Sequence, residues 1–392
     1  MVAETARKFE ALEAQAQRLL AVFTSEGYEA VAPAVIQPAD VFLDVVGESL
    51  RARTYVFTDP DGQELCLRPD LTVPTCRLYL ERHPEASVVA RYCYNGPAFR
   101  FQPSGVSAVH PREFRQAGIE SFAETDREQA ETEVVSIILQ ALRAAGLERF
   151  SLRMGDLGLF RALLEALPIP QRWRQRLRHH FWRPEAFRAE LRRLTSNPAE
   201  ALADLPAELI SALDPDDAQG AEALVDRYLQ QHGLELIGAR TVREIASSLL
   251  ATVADGRAEP MPQASADVIE TYLRVDAPAP AAAAQVEDLM RTRGVDLGAA
   301  LETYHRRLQL VAAAGIDPAR VRFQAEFGRN LEYYTGFVFE VMVPGLGPES
   351  PIAGGGRYDG LLKAVGAPAD VPAVGAMIHT ERLLSAANGE RI

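Results

Sequence analysis

"GRNLEYYTGFVFEV", residues 328–341, sets an arginine, an acid and two adjacent tyrosines directly before a run that reads as a buried strand. The run, continued to "GFVFEVMV" (336–343), is aromatic and β-branched, the composition of a strand packed on both faces. A core has no use for Arg329, Glu332, Tyr333 and Tyr334 at the lip of its sheet. A small polar ligand with a flat ring and a carboxylate has.

Working outward, this strand follows a long helical stretch, while similar strands precede that stretch. "TYVFTDPDGQELCLRPD" (54–70) reads as a hairpin about Asp59-Pro60-Asp61-Gly62. "SVVARYCYNGPAFRF" (87–101) and "REFRQAGIESFA" (112–123) read as further strands. After the helical stretch come "VRFQAEF" (321–327), the opening run and "PAVGAMI" (372–378), with "AGGGRYDG" (353–360) as a glycine-rich turn between the last two. Residues 1–30 read as a helix ending near Gly27, with Phe9, Leu12, Ala16, Leu19, Leu20 and Phe23 at helical spacing. "DREQAETEVVSIILQALRAAG" (126–146) is an amphipathic helix with early acids and a terminal glycine. "DAPAPAAAAQ" (276–285) reads as a flexible joint or a helix start, and "TERLLSAA" closes the chain as a helix. No internal repeat is evident. Strands on both sides of the helices argue for one sheet completed late. The expected fold class is α+β, with a first part of the core over 1–155, a helical insertion over 156–318 and a second part of the core over 319–392.

The chain has 392 residues, 47% of them hydrophobic, enough for two or three domains. No stretch reaches the ~18 apolar residues of a membrane span. The first residues carry acids and no cleavable apolar run, so a secretory leader is not expected. Cys66, Cys76 and Cys93 are too few and too irregular for a disulfide framework or a zinc site. Buried thiols in a reducing cytoplasm, and no metal, are expected. The net charge of −13 (41 basic against 54 acidic) argues against a dedicated nucleic-acid binder. A local basic face stays open at "RWRQRLRHHFWRPEAFRAELRRL" (172–194). It reads as a solvated helical face with Trp173, Leu177, Phe181 and Leu191 packing inward, as an RNA-facing helix, or as a docking face for an acidic or phosphate-handling partner.

Besides the opening stretch, chemistry-bearing residues cluster at Arg68-Pro69-Asp70-Leu71-Thr72, at Arg100 followed by Gln116 and Glu120, and at Gly354-Gly355-Gly356-Arg357-Tyr358-Asp359. Each alone is a weak signal: strand-end ion pairs, rim tyrosines and glycine turns are common. Together they form an inventory. Alternate residues of a strand share a face, so Gln116, Gly118 and Glu120 point one way. A carboxylate and an amide can hold an ammonium, an arginine can take a carboxylate in two bonds, and tyrosines can sandwich a heterocycle. The set suits a zwitterionic amino acid with a polar ring.

The order and wording of these clusters resemble the catalytic domain of histidyl-tRNA synthetase, a class II synthetase, over nearly all of 1–150 and 320–385. "TDPDGQELCLRPDLT" is similar to that family's substrate loop and "GPAFRF…REFRQAGIESF" to its second signature motif. "RNLEYYTGFVFE" and "AGGGRYDGL" resemble its two histidine-reading motifs, and "PAVGAMIHTERL" its third signature. The resemblance implies a mainly antiparallel sheet flanked by helices, dimerising through the region around Pro33. It implies that Asp70, Thr72, Gln116 and Glu120 surround the amino group of histidine and that Arg100 sits near its carboxylate. Arg329 would lie over the reacting centre, while Tyr334 and Tyr358 read the imidazole; Tyr333 reads or simply packs.

Departures from the synthetase pattern carry as much weight as the matches. The chain stops ten residues after Arg382, where a synthetase continues into an anticodon-reading domain. The glutamate of the second motif, which serves the ATP end, is Gln102 here. The glycine that lets adenine lie near the backbone in the third motif is His379. The substrate loop reads Arg-Pro-Asp-Leu-Thr in place of Arg-Pro-Glu-Gly-Thr. A site that keeps its amino-acid half and loses its ATP and tRNA halves resembles the regulatory subunits of short-form ATP phosphoribosyltransferases. That resemblance implies a non-catalytic chain without a cofactor, a homodimer within a hetero-oligomer whose partner is the short catalytic subunit, and free histidine as effector. Binding of tRNA is not expected. The competing readings are a truncated synthetase-like enzyme that adenylates histidine, with Arg100, Arg329 and Arg382 all present, and a nucleic-acid-binding module using the basic helix.

Overall fold

The computed structural model of the chain describes all residues except 1–4, 44–47, 104, 108–109, 197, 204, 216, 235–240, 329–332, 348–349 and 390–392. It divides into two compact units, Met1–Ala166 with Thr271–Ile392, and Leu167–Glu270.

The first unit holds a nine-stranded sheet in the order β1-β5-β6-β12-β11-β10-β7-β9-β8. Its strands are β1 (Glu29–Ala30), β5 (Ala90–Phe99), β6 (Glu113–Phe122), β7 (Ser151–Asp156), β8 (Asp276–Pro278), β9 (Val321–Gln324), β10 (Phe337–Met342), β11 (Ala353–Arg357) and β12 (Ala373–His379). A second, three-stranded sheet has β4 (Glu64–Leu67) between β2 (Ile36–Pro38) and β3 (Tyr55–Thr58). Pairing is antiparallel except at β1/β5 and β7/β9, as the expected mainly antiparallel architecture requires.

The β3–β4 hairpin forms where expected. Asp59 closes its turn by accepting from the amides of Asp61 and Gln63, with Gly62 at φ +86°. The chain leaving β4 then delivers Arg68–Thr72 to the sheet and enters the helix Thr72–Arg82. Helix Ala6–Ser25 buries Leu12, Ala16, Leu19 and Phe23. Phe9, expected on that face, is instead half exposed beneath the Arg115 guanidinium. Helix Arg127–Ala144 is N-capped by Asp126 and buries Val134, Val135, Ile138 and Leu142.

The run expected as a glycine-rich turn is a strand. Ala353–Arg357 is β11, buried throughout between β10 and β12. Its glycines answer to crowding rather than to turning: a Cβ on Gly355 would lie 2.1 Å from the Gly375 carbonyl oxygen, and one on Gly356 2.4 Å from that of Phe337. Strand β7 carries no apolar signature either, because Arg153 sits opposite Glu340 of β10 and pairs with it at 2.6 Å. The insertion is also narrower than the expected 156–318. Helices Leu157–Ala166, Ala279–Arg293 and Ala299–Ala313 belong with the sheet, packing on strands or on helix Arg127–Ala144. A helical period records that a face is buried but not against what. Of the two readings of 276–285, the helix start holds: Pro278 is the N-cap of helix Ala279–Arg293.

The second unit is helical, around Leu209, Leu213, Ala221, Val225, Ala246, Leu250 and Val253. Its basic stretch forms helices Gln171–His180 and Pro184–Ser196. Trp173, Leu177, Phe181 and Leu191 pack inward, as the solvated-face reading requires. Much of the charge is internally neutralised. Fully buried Asp255 accepts from Arg172 at 2.6 Å, from the Trp173 indole at 2.6 Å and from Arg176, while Arg193 pairs with Glu190 at 2.7 Å.

Candidate ligand-binding site

A cavity opens over the middle of the large sheet. Asp70, Thr72, Arg100, Gln116, Tyr333, Tyr334 and Tyr358 line it, with Gly354, Gly375, Ala376 and Met377 of β11 and β12. Four stretches distant in sequence thus bring seven of the nine expected site residues together. Glu120 lies behind the wall, and Arg329 falls outside the described residues.

The cluster Arg68–Thr72 divides its labour. Arg68 is structural: buried, it donates to the carbonyls of Pro97 at 2.8 Å and Pro33 at 2.5 Å. Gly96 must be bare, because a Cβ there would meet the Arg68 guanidinium at 2.5 Å. Asp70 faces the cavity. Its Oδ1 accepts from the Val73 amide at 3.3 Å, while Oδ2 is buried with no hydrogen-bond partner among the described residues. Burial pushes its carboxyl up, and the nearby Arg100 guanidinium opposes that. Arg100 donates Nε to the Pro69 carbonyl at 2.8 Å.

Gln116 is held from one side. Its Oε1 accepts from the Leu71 amide at 3.2 Å, which leaves Nε2 buried without a partner among the described residues. An unmatched donor does not suit an ammonium; it suits a carboxylate. Glu120 accepts from the hydroxyls of Tyr358 and of Tyr94, the latter at 3.0 Å. Burial pushes its carboxyl up to about 7, despite hydrogen bonds from Tyr358, Thr72 and Tyr94. The three tyrosines form one cluster: Tyr333 and Tyr334 lie 4.8 Å apart between ring centres, and Tyr358 stands edge-on to Tyr333 at 5.9 Å and to Tyr334 at 6.4 Å.

Beside the cavity, the positions that depart from the synthetase pattern are occupied by contacts of the chain itself. Gln102 is buried; its Oε1 accepts from Arg53 at 2.5 Å and its Nε2 donates to the Pro111 carbonyl at 2.8 Å. The His379 ring lies 5.4 Å from that of Phe114, which also carries the Arg100 guanidinium at 5.1 Å. Arg382 donates to the Pro351 carbonyl at 2.8 Å.

The sequence reading passed over what supports Tyr358. Buried Glu131, on helix Arg127–Ala144, accepts from Arg307 at 2.7 Å and from Arg357. Arg307 also donates to Asp156 at 2.6 Å, and Arg357 to Asp359 at 2.9 Å. Asp359 in turn accepts from the Ala373 amide at 2.9 Å. This ionic network fixes the backbone on both sides of Tyr358. The one available signal was a glutamate amid the apolar face of an amphipathic helix.

A model of the histidyl-tRNA synthetase family matches residues 4–227 and 251–383. A protein of Mesorhizobium japonicum described as an ATP phosphoribosyltransferase regulatory subunit is 35% identical over 96% of this chain and 97% of its own. One of Brucella anthropi with the same description is 34% identical over 89% of this chain and 90% of its own. The chain belongs to the ATP phosphoribosyltransferase regulatory subunit family.

Solved structures agree in fold. A Bacillus halodurans protein described as an ATP phosphoribosyltransferase regulatory subunit/histidyl-tRNA synthetase superposes with a TM-score of 0.69 at 20% identity, covering 99% of this chain and 82% of that one. A histidine–tRNA ligase subunit of Alicyclobacillus acidocaldarius gives 0.60 at 24% identity, covering 99% of this chain and 96% of that one. Membership of a regulatory-subunit family, on a synthetase fold, makes this a regulatory rather than a catalytic chain. It also accounts for a cavity whose polar walls coexist with Gln102, His379 and Arg382 committed to internal partners.

Proposed function

We propose that this chain is the regulatory subunit of a short-form ATP phosphoribosyltransferase. It supports the catalytic partner at the first step of histidine biosynthesis and senses free histidine in the cavity described. The observation that carries the sensing is the pair of buried, unmatched groups on the cavity wall, Asp70 Oδ2 and Gln116 Nε2. Buried polar atoms without partners are costly, so a site that keeps two of opposite sense is built for a ligand that supplies both. The ammonium of histidine sits on Asp70 beside Thr72, its carboxylate on Gln116 and Arg100, and its ring among Tyr333, Tyr334 and Tyr358. Glu120 stands behind the ring, and Arg329 belongs to the same set by resemblance. A homodimer within the hetero-oligomer fits Ile36 and Phe57, exposed on one face of the small sheet near Pro33.

Regulation requires that histidine bind one state of the assembly better than the other. Allosteric couplings are typically ~1–3 kcal/mol, about the cost of one lost buried polar contact. Asp70→Asn should therefore blunt inhibition roughly tenfold or more in histidine concentration while leaving activation of the partner intact. Reconstitution with a short-form catalytic subunit, assayed for pyrophosphate release against histidine, tests both halves. A partner indifferent to this chain would overturn the first, and an unchanged inhibition curve the second.

A further inference from the structure

Three arginines are buried among the described residues, Arg68, Arg307 and Arg357. Arg307 and Arg357 are paired with carboxylates, whereas Arg68 has no ion pair among the described residues. Its guanidinium donates to two neutral acceptors, the carbonyls of Pro97 at 2.8 Å and Pro33 at 2.5 Å. Holding two carbonyls needs donors, not a charge, and a neutral amide would supply them without the cost of burying a cation. The chain is nevertheless shaped around the cation, since a Cβ on Gly96 would lie 2.5 Å from Arg68 Nη2. Arg68 also stands where two regions meet. On one side its amide donates to the Val35 carbonyl at 3.0 Å, just before β2, and half-exposed Ile36 follows, opposite Leu67. On the other side the chain runs through Pro69, held by Arg100, to Asp70 on the cavity wall. Burial pushes the Arg68 guanidinium down from the ordinary arginine range, and Tyr94 and the Asp70 carboxylate oppose that. An ammonium seated on Asp70 offsets the pull of that carboxylate, so filling the cavity changes the hold on Arg68.

We propose that Arg68 is a positioning residue for regulation: it ties segment 33–38 to the cavity loop, and through it the filling of the cavity at Asp70 is felt at the exposed apolar face of the small sheet. This rests on the proposed function above, both on the amino-acid site and on assembly through that face. It explains why the link is a cation held by neutral partners. An ion pair such as those of Arg307 and Arg357 would be locked, whereas a cation on two carbonyls responds to the charge beside it.

The test separates binding from response. Titration calorimetry of the intact chain with L-histidine reads the affinity. Pyrophosphate release by the complex reconstituted with a short-form catalytic subunit, without and with histidine, reads activation and response. Arg68→Met keeps an unbranched apolar stem and removes the charge. It should leave the affinity and the activation of the partner near their parent values. Suppression at saturating histidine should fall from the roughly 5- to 150-fold of a typical allosteric pair towards none. Affinity lost together with suppression means that Arg68 merely shapes the cavity, and overturns the proposal. So does suppression kept in full. Where Arg68→Met does not fold, Gly96→Ala takes its place, because its methyl keeps the charge but drives the guanidinium off the two carbonyls. The same split between affinity and suppression should follow, and suppression kept in full overturns the proposal. A parent chain that does not bind histidine, or a parent complex that histidine does not suppress, overturns the proposed function itself, and the link falls with it.

Discussion

Glu120 and Glu131 are both buried, 0% and 2% exposed, yet they are held in opposite ways. Glu131 lies between Arg307 and Arg357. Burial would raise its carboxyl, but the two guanidinium groups more than offset that and hold it below the usual range. Glu120 lies between the hydroxyls of Tyr94 and Tyr358, which cannot offset burial, and its carboxyl is pushed up to about 7. Neighbours, not depth, decide whether a buried acid is a fixed charge or a group poised near neutrality. The two are joined through adjacent residues: Arg357 binds Glu131 and Tyr358 binds Glu120. The rigid ionic network is thus the mount for the adjustable pair at the cavity wall.

The hardest test of this contrast is Glu131→Gln. It leaves Arg307 and Arg357 buried without their shared counter-charge, and should cost ~3–5 kcal/mol by urea denaturation. A loss below about 1 kcal/mol, the scale of an exposed pair, would make the network ornamental and dissolve the comparison. The pH dependence sharpens it. For Glu120 the folded state binds the extra proton, so its contribution to stability is full below the ordinary glutamate range and is lost as pH rises through about 7. Glu131, held low, contributes above the ordinary range and loses that contribution as pH falls. Glu120→Gln should remove the falling slope between roughly pH 4.5 and 7 and leave the acid-side slope in place. The gain over the parent above pH 7 should be on the order of 2–3 kcal/mol. A slope of the same size in parent and variant would assign it to another group.

Asp255 extends the contrast to the helical unit, where a buried acid gathers Arg172, Arg176 and the Trp173 indole. It is a second buried carboxylate held by arginines. Asp255→Asn keeps the volume and one acceptor but loses the charge, at ~1–3 kcal/mol. The loss should show as faster amide exchange within 167–270, with the sheet unit unchanged. Uniform loosening of both units would contradict the division between them.

Much of this was legible in the sequence. The hairpin at 54–70, the strands on either side of the insertion and the convergence of Asp70, Arg100, Gln116 and the tyrosines follow from period, turn chemistry and family resemblance. What was not legible shares one cause: it depends on what lies across the chain from a residue. Gly354–Gly356 read as a turn because glycine usually serves turning, and only the carbonyls of Gly375 and Phe337 show the crowding that requires it. Glu120 shares a strand face with Gln116, but its partners Tyr94 and Tyr358 come from two other segments. Glu131 sat inside a helix pattern that gave no hint of two arginines arriving from far along the chain.

The smallest structural effect should come from the position where an acid has been given up. Gln102 Oε1 already accepts from Arg53, itself only half-buried, so Gln102→Glu turns that bond into a partly screened ion pair, while it gives up the Nε2 bond to the Pro111 carbonyl. The stability loss should be about 1 kcal/mol, the ion pair offsetting part of the lost donor. Exchange of pyrophosphate into ATP with histidine should remain absent, because the charge is not the only obstacle. The His379 ring still lies against Phe114, and Arg100 covers that ring as well. In a close-packed wall a second ring cannot share that volume. Combining Gln102→Glu with His379→Gly removes both obstacles and is the variant in which exchange has a chance to emerge. Exchange from Gln102→Glu alone would show that the chain is an adenylating enzyme lacking one charge. Exchange from neither would place the block elsewhere on the nucleotide side, with Arg382 and its bond to the Pro351 carbonyl the next position to release.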